Sequence, residues 1–145
     1  MGVKHGHKTN SLLLQKYCYC WFIKKSEKQS YIVAEYLKNK GYKIIPVNPT
    51  IEEVLGEKSY KDLESLPESL KNSLEIVNIF RPPEEVESIV KQSIRLREKY
   101  GKPYVIWMQL GIVNENAARE AEKAGITVIM DTCIMREHKR IYGEG

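Results

Sequence analysis

The chain has 145 residues, 42% apolar and 29% charged, a balance that suits one globular domain able to bury a core. Its formal charge of +4 is concentrated at the start: residues 1–30 sum to +5 and the rest to −1, so a nucleic-acid-binding body is not expected. No apolar run approaches the roughly 18–20 residues of a membrane span and no secretory leader is predicted; three cysteines, an odd number, argue for a reducing, cytoplasmic setting rather than a disulfide scaffold.

From residue 30 onward, helical and strand-like patterns alternate. Val33, Tyr36 and Leu37 share one face of a helix that Gly41 closes, and Lys43–Val47 reads as a short strand whose Pro46 suits an edge or an end. Residues 50–67 are mixed, with a short helix expected near Ile51–Leu55 and a turn at Gly56. Leu74–Phe80 is a strand ended by Arg81-Pro82-Pro83, where the prolines and the following Glu84 and Glu85 suit a helix start. Val86, Ile89, Val90 and Ile94 form that helix's apolar stripe, and Tyr104–Trp107 is the next strand. After Gly111 and Asn114 comes a helix with a small-residue face of Ala117, Ala121 and Ala124, stopped by Gly125. Ile126–Met130 is a last apolar strand, and Cys133–Tyr142 a charged terminal helix.

Apolar strands separated by helices predict an α/β domain with a doubly wound parallel sheet. Such sheets bind ligands beyond the carboxyl ends of their strands. Those ends read Asn48-Pro49-Thr50, Arg81-Pro82-Pro83, Met108-Gln109-Leu110 and Asp131-Thr132-Cys133. There is no Gly-x-Gly-x-x-Gly after the first strand, and the second ends in Asn48 rather than an acidic residue, so nicotinamide or flavin chemistry is disfavoured. A phosphate loop ending in Gly-Lys-Ser/Thr is also missing. Cys18, Cys20, His5, His7, Cys133 and His138 match no structural zinc spacing, and no metal is expected. Cys133 and His138 are a candidate nucleophile and base; the alternative is a packed thiol at a helix start and a surface or capping histidine. Glu84, Glu85 and Glu87 read as a solvated helix face, and Trp107 as core.

Several of these segments resemble the small stand-alone CoA-binding protein family. They are Ser30-Tyr31-x-Val33-Ala34-x-Tyr36-Leu37, Gly41-Tyr42, Ile45-Pro46-Val47-Asn48-Pro49, Glu53-x-Leu55-Gly56 and Val77-Asn78-Ile79-Phe80-Arg81. Trp107-Met108-Gln109-Leu110-Gly111-Ile112-Val113-Asn114-Glu115 and Asp131-x-Cys133 followed by Glu137-His138 complete the set. Members are single Rossmann-like domains similar to the N-terminal domain of the succinyl-CoA synthetase α subunit. The resemblance implies a sheet of about five strands binding the ADP moiety of coenzyme A, or of acyl-CoA, at the strand ends. Carried over by position, Val47-Asn48-Pro49 would cradle the nucleotide, and Phe80-Arg81-Pro82 with Trp107-Met108-Gln109 would line the adjoining groove. Lys24, Lys25, Ser26 and Ser30 would take the phosphates, in keeping with lysines beside a helix N-terminus. Thr50 departs from the basic residue of many relatives, which weakens a phosphate contact there. In the ligase, catalysis needs a second domain with a phosphorylated histidine, so binding without turnover is expected here. An acyl-CoA-handling enzyme using Cys133 and His138, or a ligase partner subunit, is the alternative; a homodimer or a ligase-type partner is compatible with either.

The first strand breaks the resemblance. The family's opening strand is aliphatic and ends in Gly-x-Ser; the glycine's place is taken here by Trp21, within Lys16-Tyr17-Cys18-Tyr19-Cys20-Trp21-Phe22. Reading the codons of this stretch one base to the right gives Asn/Ser, Ile/Thr, Val/Ala, Ile/Thr, Val/Ala and Gly. That is an aliphatic strand with glycine at the family's position. Residues 1–23 are therefore expected to be an out-of-frame translation, from a frameshift or a sequencing error, fused to a CoA-binding domain over 24–145. The alternative is a diverged strand, since aromatic residues favour extended backbone.

Overall fold

The structure, a computed structural model, describes residues 28–143 and the backbone of the strand at 18–22. In chain order the main elements are β1 (Cys18–Phe22), α1 (Lys28–Asn39), β2 (Lys43–Val47), β3 (Glu53–Val54), β4 (Glu57–Lys58), α2 (Glu68–Lys71) and β5 (Leu74–Ile79). There follow α3 (Pro83–Tyr100), β6 (Val105–Met108), α4 (Glu115–Lys123), β7 (Thr127–Ile129) and α5 (Ile134–Tyr142). Five strands form one sheet in the order β2-β1-β5-β6-β7, with every pairing parallel. The expected Rossmann-like, doubly wound α/β domain is therefore what the chain forms. The strand order reverses between β1 and β5, and a doubly wound sheet opens its ligand crevice at such a switch.

The alternation of each strand explains the two layers. Ile45, Val47, Val77, Ile79, Ile106, Met108 and Val128 face a core shared with Val86, Ile89 and Val90 of α3 and Ala117, Ala118 and Ala121 of α4. Ile44, Ile76, Val105, Trp107 and Ile129 face the opposite core, shared with Val33, Ala34 and Leu37 of α1 and Ile134 of α5. One-residue steps along a strand thus send neighbours to opposite faces. In α4 the buried set is Ala117, Ala118 and Ala121; the expected Ala124 is the half-buried cap instead.

Pro46 lies in β2, the sheet's edge strand, as its missing N–H requires. The α1 helix closes as expected at Gly41: the Gly41 N–H donates to the Lys38 carbonyl at 3.0 Å and the Tyr42 N–H to that of Leu37 at 3.1 Å. The short helix expected near Ile51–Leu55 is absent. Glu53–Val54 and Glu57–Lys58 instead pair antiparallel around Leu55-Gly56, both at positive φ (54° and 77°). That is the backbone of a two-residue hairpin, and one isolated turn is too short to hold a helix against it.

The terminal helix is clasped to α1 through rings. Tyr36 Oη lies 2.8 Å from His138 Nδ1, and His138 packs against Tyr36, Tyr42 and Tyr142 with ring centroids 5.4, 5.9 and 4.6 Å away. Burial, with lesser contributions from Tyr142 and Tyr36, holds the Tyr42 phenol well above its ordinary pKa. A raised folded-state pKa stabilises the fold below the unfolded value, about 10, and that stabilisation is lost as pH rises toward the folded one. Alkaline unfolding is therefore expected to steepen above about pH 10, by up to about 1.4 kcal/mol per pH unit, and Tyr42→Phe to flatten it. Urea midpoints of both proteins across pH 8–12 check this; identical slopes would refute it.

Candidate functional site

All four predicted strand ends meet at one edge of the sheet, around the reversal in strand order. Among the described residues two hollows open there, with Arg81 on the wall of both. The larger, about 570 Å³, is lined by Gln29 of α1, by Phe80, Arg81, Pro82 and Pro83 after β5, and by Gln109, Leu110 and Ile112 after β6, with Cys133 and Arg136 at the start of α5. The smaller, about 380 Å³, has Val47, Asn48 and Pro49 on one side and Lys61, Asp62, Arg81 and residues of α3 on the other.

The Val47-Asn48-Pro49 turn is set by its own asparagine. Asn48 is buried, and its Oδ1 accepts from the Thr50 N–H and the Thr50 hydroxyl, each at 2.7 Å. Such a side chain mimics a backbone turn. Thr50 is thus a turn residue, which accounts physically for a non-basic side chain there. Tyr60 steadies the turn from the side, its carbonyl accepting from the Asn48 N–H at 2.8 Å.

Arg81 is held by Glu85 one helical turn on, with Nε and Nη2 each 2.9 Å from Oε1. Glu85 therefore braces the arginine between the hollows, and Glu84, Glu85 and Glu87 all remain exposed at the start of α3. Across the larger hollow the loops brace one another. The Gly111 N–H donates to Asp131 Oδ1 at 2.6 Å, and the Asp131 N–H donates to the Ile112 carbonyl at 3.2 Å. Gly111 sits at φ 84°, where a side chain would be strained. Trp107 Nε1 donates to the Thr132 carbonyl at 2.7 Å, tying β6 to the loop that carries Cys133.

Of the expected site residues, Val47, Asn48, Pro49 and Arg81 share the smaller hollow, and Phe80, Arg81, Pro82 and Gln109 the larger. Trp107 and Met108 are a correction: both are fully buried, on opposite faces of the sheet, and support the floor without lining it. Only Gln109, one residue past the strand, reaches the hollow. Ser30 is buried in the first turn of α1, while Lys24, Lys25 and Ser26 lie outside the described residues. So do His5, His7 and the side chains of Cys18 and Cys20. Gln29, Ile112, Arg136 and Lys61 were not expected. The strand-end rule pointed to the neighbourhoods of Ile112 and Arg136, and the resemblance to that of Gln29, but nothing pointed to Lys61.

Cys133 is a free, buried thiol on the wall of the larger hollow. His138 is neither a surface nor a capping residue. It is 3% exposed, with its ring held in the α1–α5 clasp and its Nδ1 against the Tyr36 hydroxyl. Among the described residues, no group of three or more His, Cys, Asp and Glu side chains is placed to hold a metal, and no helix is long and apolar enough to cross a membrane.

A doubly wound parallel sheet with paired hollows at its switch point defines a Rossmann-like ligand-binding domain. Residues 22–139 match the CoA binding domain family, and the chain belongs to that family. It is 35% identical over 114 residues to the uncharacterized protein YneT of Bacillus subtilis (strain 168), covering 79% of this chain and 78% of YneT. The crystal structure of Prb, a protein redesigned for binding, superposes with a TM-score of 0.82 at 33% identity, covering 97% of this chain and 94% of Prb. The same fold occurs within the dinucleotide-forming acetyl-coenzyme A synthetase 1 of Ca. Korarchaeum cryptofilum, at TM-score 0.63 and 17% identity, over 79% of this chain and 25% of the synthetase.

Proposed function

We propose that this protein binds coenzyme A or acyl-CoA in the cytoplasm without turning it over. The observation that carries the reading is the pair of hollows flanking Arg81 at the strand-order reversal, in a chain of the CoA binding domain family. In this reading the Val47-Asn48-Pro49 turn receives the nucleotide in the smaller hollow. The thiol-bearing arm runs through the larger one, past Phe80, Pro82 and Gln109 toward Cys133. The phosphates lie at the start of α1, served by Lys24, Lys25 and Ser26, while Ser30, buried in the first turn, supports the helix start behind them. Cys133 and His138 do not need to cooperate, because His138 serves the clasp between helices.

Isothermal titration with CoA, dephospho-CoA and NAD tests the reading. CoA is expected to bind and NAD not to; NAD binding without CoA binding would overturn it. Acyl-CoA turnover that vanishes in Cys133→Ala would overturn the non-catalytic part and favour an enzyme.

We also propose that residues 1–23 are an out-of-frame translation of the family's first strand. The family match beginning at residue 22 supports this, as does the glycine that a one-base shift restores at Trp21. Cys18–Phe22 still pairs as an interior strand, between β2 and β5. Extended backbone alone requires only parallel partners, so the pairing is compatible with either origin. Resequencing the gene across codons 10–25 decides it: a single frame shared by close relatives would sink the proposal.

A further inference from the structure

Two buried amides cross between β5 and β6 under the larger hollow. Asn78 is fully buried and Gln109 is 3% exposed, and Gln109 Nε2 donates to Asn78 Oδ1 at 2.6 Å. The Gln109 main chain is also engaged: its N–H donates to the Ile79 carbonyl at 3.2 Å, and its carbonyl accepts from the Ile112 N–H at 2.9 Å. Its side-chain oxygen Oε1 has no hydrogen-bond partner among the described residues. With the amide nitrogen committed to Asn78, the side chain has only an acceptor left to offer. Gln109 lines the hollow beside Phe80, Pro82, Leu110 and Cys133.

A carbonyl that loses its solvent without gaining a donor is costly. A ligand arm that displaces solvent from this hollow must therefore return an N–H or O–H to Oε1. The apolar neighbours Phe80, Pro82 and Leu110 suit a neutral donor carried on a largely aliphatic chain. A secondary amide has that chemistry, and the thiol-bearing arm of CoA carries two. Resting on the binding reading above, we propose that Gln109, oriented by Asn78, accepts the N–H of an arm amide and so selects CoA over bare adenine nucleotides. A site built around a hydrogen bond rejects analogues that lack the partner, because its own buried group is then left unmet.

Calorimetry on the full chain tests this with CoA and with adenosine 3′,5′-bisphosphate, which shares the nucleotide but lacks the arm. Gln109→Met, similar in length and without an acceptor, is expected to weaken CoA about tenfold and leave the bisphosphate unchanged. Equal weakening of both ligands would reveal a merely structural role and overturn the proposal, as would unchanged CoA affinity. A ligand-side arm removes any dependence on the variant's folding. Of two CoA analogues, each with one arm amide replaced by an ester, one is expected to bind the unaltered chain about tenfold more weakly; if neither does, the proposal is wrong. Failure of the unaltered chain to bind CoA at all is a different result, and overturns the binding reading itself.

Discussion

Trp107→Ala is expected to cost about 3–5 kcal/mol, enough to leave a typical domain close to unfolding. Trp107 is fully buried on the face of the sheet covered by α1 and α5, among Val33, Leu37, Val105 and Ile134. Its removal opens a cavity that this tightly packed layer can only partly close. The indole also donates to the Thr132 carbonyl at 2.7 Å, so alanine removes a tie between β6 and the loop before Cys133. Trp107→Phe separates the two effects. It keeps most of the ring's volume but leaves the carbonyl without its donor, and a smaller loss of about 1–3 kcal/mol is expected. Urea unfolding of both variants measures this; equal losses would mean that the hydrogen bond, not packing, is what the tryptophan supplies.

Restoring the first strand is expected to act in the opposite direction. The substitutions Tyr17→Ile, Cys18→Val, Tyr19→Ile, Cys20→Val and Trp21→Gly write the shifted reading frame back into the protein. β1 is an interior strand, paired on both sides, a place that suits close-packed aliphatic residues. Overpacking typically costs about 1–3 kcal/mol per site, so the out-of-frame proposal predicts that the restored strand is more stable by a few kcal/mol. Glycine at position 21 gives back about 1 kcal/mol in chain entropy, but lets backbone approach a phosphate. A gain in urea midpoint together with tighter CoA binding is expected. A restored chain that is less stable and binds no better would show that the aromatic strand is native to this protein.

Much of the architecture can be read from residues that obey one rule at a time. Leu74–Ile79 is an apolar-rich run followed closely by two prolines, and the stripe from Val86 to Val90 repeats at helical spacing, so both elements are legible in the residues themselves. The hairpin around Leu55-Gly56 is not, because a leucine at positive φ carries no local signature. Trp107, Met108 and Gln109 show a second limit. Their place after an apolar run marks a strand end, but the strand's register and last paired residue decide which of the three reaches the hollow. Register belongs to the sheet, not to the segment. The strand-end rule found the neighbourhood of Arg136 but not that of Lys61, which only tertiary packing brings to the wall of the smaller hollow.

Backbone amide shifts during a CoA titration locate the ligand residue by residue. Saturable changes are expected at Asn48, Arg81, Gln109 and Cys133, around the two hollows at the strand ends. A further hollow of about 290 Å³ lies between α3 and α4, lined by Lys91, Asn116 and Arg119, and should stay silent. Changes confined to that outer hollow, or an unchanged spectrum at saturating CoA in the strand-restored protein, would rule out CoA binding at the strand ends.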